Sequence, residues 1–359
     1  MNKKFGTTSV VFLSFISLAF AQAPKYSNEF LSIGVGARAL GMSNSYITSV
    51  NDVTAGYWNP AGLLSIGEQH QAALMHSEYF AGIAKYDYGA FATRLDTSSV
   101  LAFSLIRFGI DDIPNTTDLI DANGNVDYDK ITTFSAVDYA FIVSYAKQLK
   151  VPGLRLGASA KVIRRKVGDF AGAWGFGIDA GAQYNYKKWR FAAMARDVTS
   201  TFNAWSFNLS DREKEVLIAT GNELPENSVE ITLPKLILGG ARKFDFNDKV
   251  SLLAEMDMDA TFDGKRNVLI KSNAISLDPH LGLEASYMNI IFLRAGVGNY
   301  QTYTDAVGKK INTFQPNIGV GIKIKQVYID YALTDIGDKS VALYSNVFSI
   351  KVDINKKTK

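Results

Sequence analysis

Three groups of residues in this chain have types and spacings that could do chemistry. The first, Gly34-Val35-Gly36-Ala37-Arg38-Ala39, fits G-x-G-x-x-G/A, with Phe30 to Ile33 before it and Asp52 placed for a ribose contact. In such a loop, backbone N–H groups at a helix start hold a pyrophosphate. The second runs from Asp121 to Asp129, where Asp121, Asn123, Asn125 and Asp127 set oxygen ligands at alternate positions, as at the start of a calcium loop. The third is the set of histidines, His70, His76 and His280. Cysteine is absent, which excludes thiol catalysis, disulfides, thiolate metal sites and lipid attachment through an N-terminal cysteine.

Each group lacks the context its chemistry needs. A dinucleotide loop requires a strand, a full helix and a second parallel strand, but Asn44-Ser45 and then Asn59-Pro60 would cut the helix. In the acidic segment the glycine is fourth rather than sixth, and Thr132 stands where the closing glutamate belongs. An Asn-Gly turn on a solvated loop explains the same residues. His70 and His76 share a strand face, but a metal site would need further ligands converging there. No G-x-S-x-G elbow occurs, so neither an enzyme nor a cofactor is expected. With 38 Lys and Arg against 35 Asp and Glu there is no footprint for nucleic acid.

The elements around these residues are strands. Lys3 and Lys4 followed by the apolar run Val10 to Phe20 and by Ala19-Phe20-Ala21 read as a signal peptide over 1–21, cleaved after Ala21. From residue 69 onwards apolar residues alternate with polar ones: Leu154, Leu156, Ala158 and Ala160 against Arg155, Ser159 and Lys161, and Leu252, Ala254, Met256 and Met258 against Ser251, Glu255, Asp257 and Asp259. Fourteen such segments start near residues 69, 83, 99, 134, 154, 173, 188, 232, 248, 279, 290, 314, 326 and 344. Short connections such as KVPG and Lys187-Lys188 alternate with long ones, among them 110–133 and 198–231. That asymmetry belongs to bacterial outer-membrane barrels.

The expected fold is therefore all-β, a 14-stranded antiparallel transmembrane β-barrel over 67–359, preceded by a glycine-rich segment, 22–66. Apolar faces would meet lipid. Arg155, Lys161, Arg165, Arg190, Arg196, Arg294 and Lys323 would then point inward, with Asp138, Glu255, Asp257, Asp259, Glu284 and Asp330. In the longest loop, Ser210-Asp211-Arg212-Glu213 is a capping box that predicts a helix over about 211–219. Trp205 and Phe207 beside it are candidates for an exposed partner contact or an interfacial anchor.

FLSIGVGARALGMSNSYITSVNDVTAGYWNPAGL resembles the N-terminal signature of the PorV/PorQ family of outer-membrane proteins, related in fold to FadL long-chain fatty-acid transporters with their N-terminal hatch. Gly36, Ala37, Arg38, Ala39, Gly41, Met42, Asp52 and Trp58-Asn59-Pro60-Ala61-Gly62 carry the resemblance, over about residues 30–66. It implies a hatch inside the barrel, built on Gly36, Arg38, Gly41, Asn59, Pro60 and Ala61. It also implies a link to type IX secretion, as a cargo shuttle or a docking barrel. The expected partners are secretion-system proteins or the C-terminal domains of secreted cargo, together with outer-membrane lipid. A FadL-like channel for hydrophobic small molecules is the alternative, and a purely structural membrane role is a third.

Overall fold

The computed structural model describes residues 27–80, 82–121, 124–304, 307–336 and 345–355. The expected signal peptide and Asn123 lie outside them. Fourteen strands wind antiparallel into one closed sheet: β1 His70–Tyr79, β2 Ala84–Asp96, β3 Ser99–Asn115, β4 Thr132–Gln148, β5 Leu154–Val167 and β6 Ala171–Tyr186. β7 comprises Trp189–Arg196 and Thr201–Phe207, and β8 comprises Ser228–Thr232 and Lys235–Asp245. β9 Val250–Thr261, β10 Ser276–Tyr287, β11 Ile291–Thr304, β12 Lys310–Ile324, β13 Val327–Thr334 and β14 Ser345–Ile354 complete the wall. Each strand pairs with the next, and β14 closes on β1 with His70 opposite Ile354. The closed sheet leaves no unpaired edge in lipid, which is the condition for β-structure to span a bilayer.

Two strands are interrupted, each for a local reason. In β7, Asp197 and Ser200 take left-handed φ values of 56°, which lets the strand step across residues 197–200. In β8, Pro234 lacks a ladder N–H, so the pairing lapses between Thr232 and Lys235. The sequence reading therefore started β8 near 232, whereas its outer half begins at Ser228. β3 and β4 reach to Asn115 and down from Thr132, into what reads as loop. Beyond the membrane both faces meet water, so hydrogen bonding continues where the hydrophobic alternation fades.

The barrel is mostly apolar outside and charged inside, one exception being a cross-strand cluster of His76, Asp87 and Arg107 on the outer face of β1–β3. Leu74, Phe91, Phe103, Val143, Leu283, Val320 and Ile350 are exposed on its outer face, while Lys161, Glu255, Asp257, Glu284, Arg294 and Asp330 are buried on its inner face. The capping box forms as read: Ser210 Oγ accepts from the Glu213 N–H, and the helix α1 runs Asp211–Ala219. Trp205 and Phe207 are not on an exposed loop. They lie half-buried on the inner side of the outer half of β7, because that half is strand and their neighbours Phe202 and Ala204 face out. Trp205 Nε1 donates to Glu230 at 2.8 Å, and the Arg165 guanidinium covers its ring at 5.0 Å.

The acidic segment is a turn. Asp121 takes the backbone N–H and side-chain amide of Asn125 on its two oxygens, and Ile120 bridges to Val126. Among the described residues no three ligand-type side chains converge there.

A cation at mid-membrane on the outer face should be costly. Val143→Arg is expected to lower stability by about 2–4 kcal/mol, measured by denaturant unfolding of the barrel in lipid vesicles.

Candidate functional site

Residues 27–66 form no strand. They thread the barrel as a hatch of short helical pieces: Ala37–Gly41, Ala55–Trp58 and Pro60–Ser65. None is long enough to be stable alone, so the wall has to supply what holds them. Gly36 takes φ 84°, and the chain turns there into the first piece. The Ala37 N–H then meets Ser349 Oγ at 3.1 Å. No pyrophosphate space exists at this start, because the wall already occupies it. The glycines serve tight packing, not a nucleotide.

Charge fixes the register of this half. Arg38 grips Glu284 with two hydrogen bonds, Nε at 2.7 Å and Nη2 at 2.8 Å. Arg294 reaches the same carboxylate at 2.7 Å and Asp330 at 2.6 Å. A second link joins Lys351 of β14 to Asp52 at 3.1 Å. Burial alone would raise the Asp52 carboxyl, but Lys351 and Arg38 outweigh it and hold it at about 2. Two further wall carboxylates bind backbone rather than side chains. Asp257 accepts from the N–H groups of Tyr46 and Ile47, and Glu255 from those of Thr48 and Ser49.

Space fixes the other half. Asn59 caps the last helical piece by accepting from the Ala61 N–H at 3.2 Å, and its amide donates to the carbonyls of Ile47 and Ala182. Pro60 sits at the first helical position, where its missing N–H costs nothing. A Cβ on Gly157 would stand 2.5 Å from the Ala61 nitrogen, so β5 can bear only glycine there. Gly41 meets Gly319 of β12 in the same way, with a Cβ on Gly41 only 3.1 Å from the Gly319 Cα. Toward the short-turn end, Arg155 binds Ser65 and Arg94 binds the Ile66 carbonyl.

Thus Gly36, Arg38, Gly41, Asn59, Pro60 and Ala61 lie on one seated segment. Of the inward charges read from the sequence, Arg155, Arg196, Glu255, Asp257 and Glu284 contact it, whereas Arg165 pairs with Asp138 and Glu230 away from it. The wall glycines went unread. Their signal was present as glycine pairs two apart on inward positions, Gly175 and Gly177, and Gly319 and Gly321.

Above the hatch, toward the long loops, lies a cavity of about 710 Å³. Ile33, Leu40, Tyr57 and Trp58 of the hatch line its floor. Tyr57 donates to the Leu31 carbonyl and Trp58 to that of Val35, which locks both rings. The walls are polar: Arg196 stacks 4.4 Å over Tyr57, Lys235 pairs with Asp259 at 2.8 Å, and His280 stands 3.7 Å from Asp278. Among the described residues, Asn44 Oδ1, Arg196 Nε and Asp278 Oδ1 are buried atoms of lining residues with no hydrogen-bond partner. His70 and His76 are far from His280, so the histidines form no common site.

Removing Glu284 would leave two buried guanidinium groups facing each other. Glu284→Gln is expected to cost about 3–5 kcal/mol, and Arg38→Met with Glu284→Met to recover most of it, read from the denaturant midpoint of the refolded barrel. Gly157→Val should push the Asn59-Pro60-Ala61 turn off β5 and raise ion conductance in planar bilayers, with the barrel still formed.

No family model matches the chain, and no curated protein matches it in sequence. In fold it is similar to solved outer-membrane channels. CymD, a monoaromatic hydrocarbon channel, aligns with TM-score 0.57 at 12% identity over 91% of this chain and 99% of that one. The Ralstonia pickettii toluene transporter TbuX aligns with TM-score 0.53 at 14% identity over 90% and 99%. A Pseudomonas aeruginosa FadL homologue aligns with TM-score 0.54 at 13% identity over 89% and 98%. The fold of this chain is that of the FadL-like, 14-stranded outer-membrane barrels.

Proposed function

We propose that this protein is an outer-membrane channel that admits a small amphipathic molecule from outside into the cavity above its hatch. The carrying observation is the cavity itself: an aromatic floor of Tyr57 and Trp58 under walls lined by Asn44, Arg196, Lys235, Asp259, Asp278 and His280. Charged and amide side chains lining a cavity must be desolvated when it fills, so a ligand that hydrogen-bonds them gains what a hydrocarbon cannot. The fold neighbours named as a hydrocarbon channel and a toluene transporter support small-molecule passage as the class. The polar walls here favour a ring or short chain that also carries hydrogen-bonding groups. Residence in the outer membrane and cleavage after Ala21 belong to this reading, and sequencing the mature N-terminus tests the cleavage.

Toluene, benzyl alcohol and benzoate are probes of similar size and graded polarity. Quenching of Trp58 fluorescence and flux into vesicles holding the barrel should favour the two polar probes over toluene, with Asn44→Leu and Asp278→Leu each cutting their binding by about tenfold. Preference for toluene would overturn the polar reading, and absence of flux for all three would overturn the channel.

A second reading has its own observation. The two longest outer connections join, with Arg212 of α1 donating to the Ile120 carbonyl at 2.9 Å and pairing with Asp118 at 3.4 Å. Together they expose Ile120, Val126, Tyr128 and Ile218. Such a platform suits docking of a secretion-system protein or a cargo C-terminal domain, the role that the PorV/PorQ resemblance implies. Trp205 and Phe207 would support it from beneath. Cargo co-purifying from the native membrane, and lost when 208–227 is trimmed, would favour docking over transport.

A further inference from the structure

Among the arginines on the outer face of the wall, Arg242 is set apart because no carboxylate pairs with it among the described residues, whereas Arg107 pairs with Asp87 and Asp111. Arg242 follows Ala241, which is buried on the inner side, and stands opposite Trp189 of β7 and Ala254 of β9. Its side chain therefore faces lipid. It lies three residues before the end of β8, near the short-turn end of the barrel. Its guanidinium sits 5.0 Å from the Trp189 ring centroid and 4.9 Å from that of Phe244. Nε is buried with no hydrogen-bond partner, and among the described residues no carboxylate pairs with the group. Arg164, the other lipid-facing arginine stacked on a tryptophan, differs: it donates to the carbonyls of Arg165 and Ala173.

A groove of about 550 Å³ continues from Arg242 up the outer wall across β8 to β11. Its floor is shallow because Gly240, Ala254 and Ala295 carry little side chain, and Met256, Leu281 and Leu283 form its sides. Lys187 and Lys188 lie on the turn just beneath Trp189. A cation held between aromatic rings at the interface, unpaired and above a basic turn, with an apolar channel leading toward mid-membrane, matches one molecule in position and in charge. A glycerophospholipid of the periplasmic leaflet presents a phosphate at this level and an acyl chain directed inward.

We propose that the outer wall carries a specific phospholipid site, with the phosphate on Arg242 between Trp189 and Phe244 and an acyl chain in the groove over Gly240, Ala254 and Ala295. A lipopolysaccharide source is disfavoured because its phosphates lie at the opposite, long-loop end.

Native mass spectrometry of the detergent-purified barrel, titrated with phosphatidylglycerol, phosphatidylethanolamine or phosphate-free diacylglycerol, tests it. One tightly retained adduct is expected for both phospholipids and none for diacylglycerol. Arg242→Gln should weaken retention by about tenfold, while Arg164→Gln leaves it unchanged. Ala254→Phe fills the groove without touching the charge and should also lose the adduct, which decides the matter if Arg242→Gln does not assemble. Equal retention by Arg242→Gln, or equal binding of diacylglycerol, would overturn the site.

Discussion

The Glu284 carboxylate, shared between Arg38 of the hatch and Arg294 of the wall, is the contact on which the rest of the lumen depends. A buried ion cluster adds little net stability, since desolvation offsets most of the attraction. Its effect lies in what it forbids. Any other seating of the hatch would strand a charge in the barrel, a penalty that the non-directional apolar contacts of residues 30–66 do not impose. The cluster thus sets register, and the tight packing around it then becomes possible.

Packing in turn constrains the wall. A hatch pressed against inward backbone leaves no room for Cβ atoms where they meet, so β5, β10, β11 and β12 present Gly157, Gly282, Gly296 and Gly319 to it. Glycine weakens a strand. These strands tolerate it because the closed ladder pairs them on both sides. The same closure accounts for the outward surface, where Leu, Phe, Val and Ile can be exposed without risk of edge-to-edge association.

The barrel was legible because its signal is local. Alternation with period two placed the starts of β3 and β5 near Ser99 and Leu154, and the capping box marked where α1 begins. Reading failed where the local signal changes cause. Pro234 imitates a strand start, and the outer halves of β7 and β8 leave the membrane and so lose their hydrophobic alternation. That loss put Trp205 on a loop, when it lies on the inner side of a strand. The hatch residues were legible as a resemblance and as glycine-rich turns, but the cavity was not. Trp58, Arg196 and Asp278 meet only through barrel closure, and nothing in their neighbourhoods in sequence announces the others.

The seating of the hatch is uneven, and this bears on how a ligand could pass it. Toward β9–β14 the contacts are ionic: Glu284, Asp330, Lys351 and the carboxylates that hold residues 46–49. Toward β4 and β5, apart from Arg155 on Ser65, they are neutral. Ser144 and Ser159 both donate to the Gly56 carbonyl, and Asn59 holds the turn that follows. A neutral hydrogen bond contributes about 0.5–1.5 kcal/mol, whereas breaking a buried charge pair costs about 3–5 kcal/mol. The neutral seam is therefore the side that yields first. Since Tyr57 and Trp58 form the cavity floor and sit between Gly56 and Asn59, a shift on that side would reach the cavity directly. Register is thus fixed by the charged side, while the cavity floor belongs to the stretch that Ser144, Ser159 and Asn59 hold.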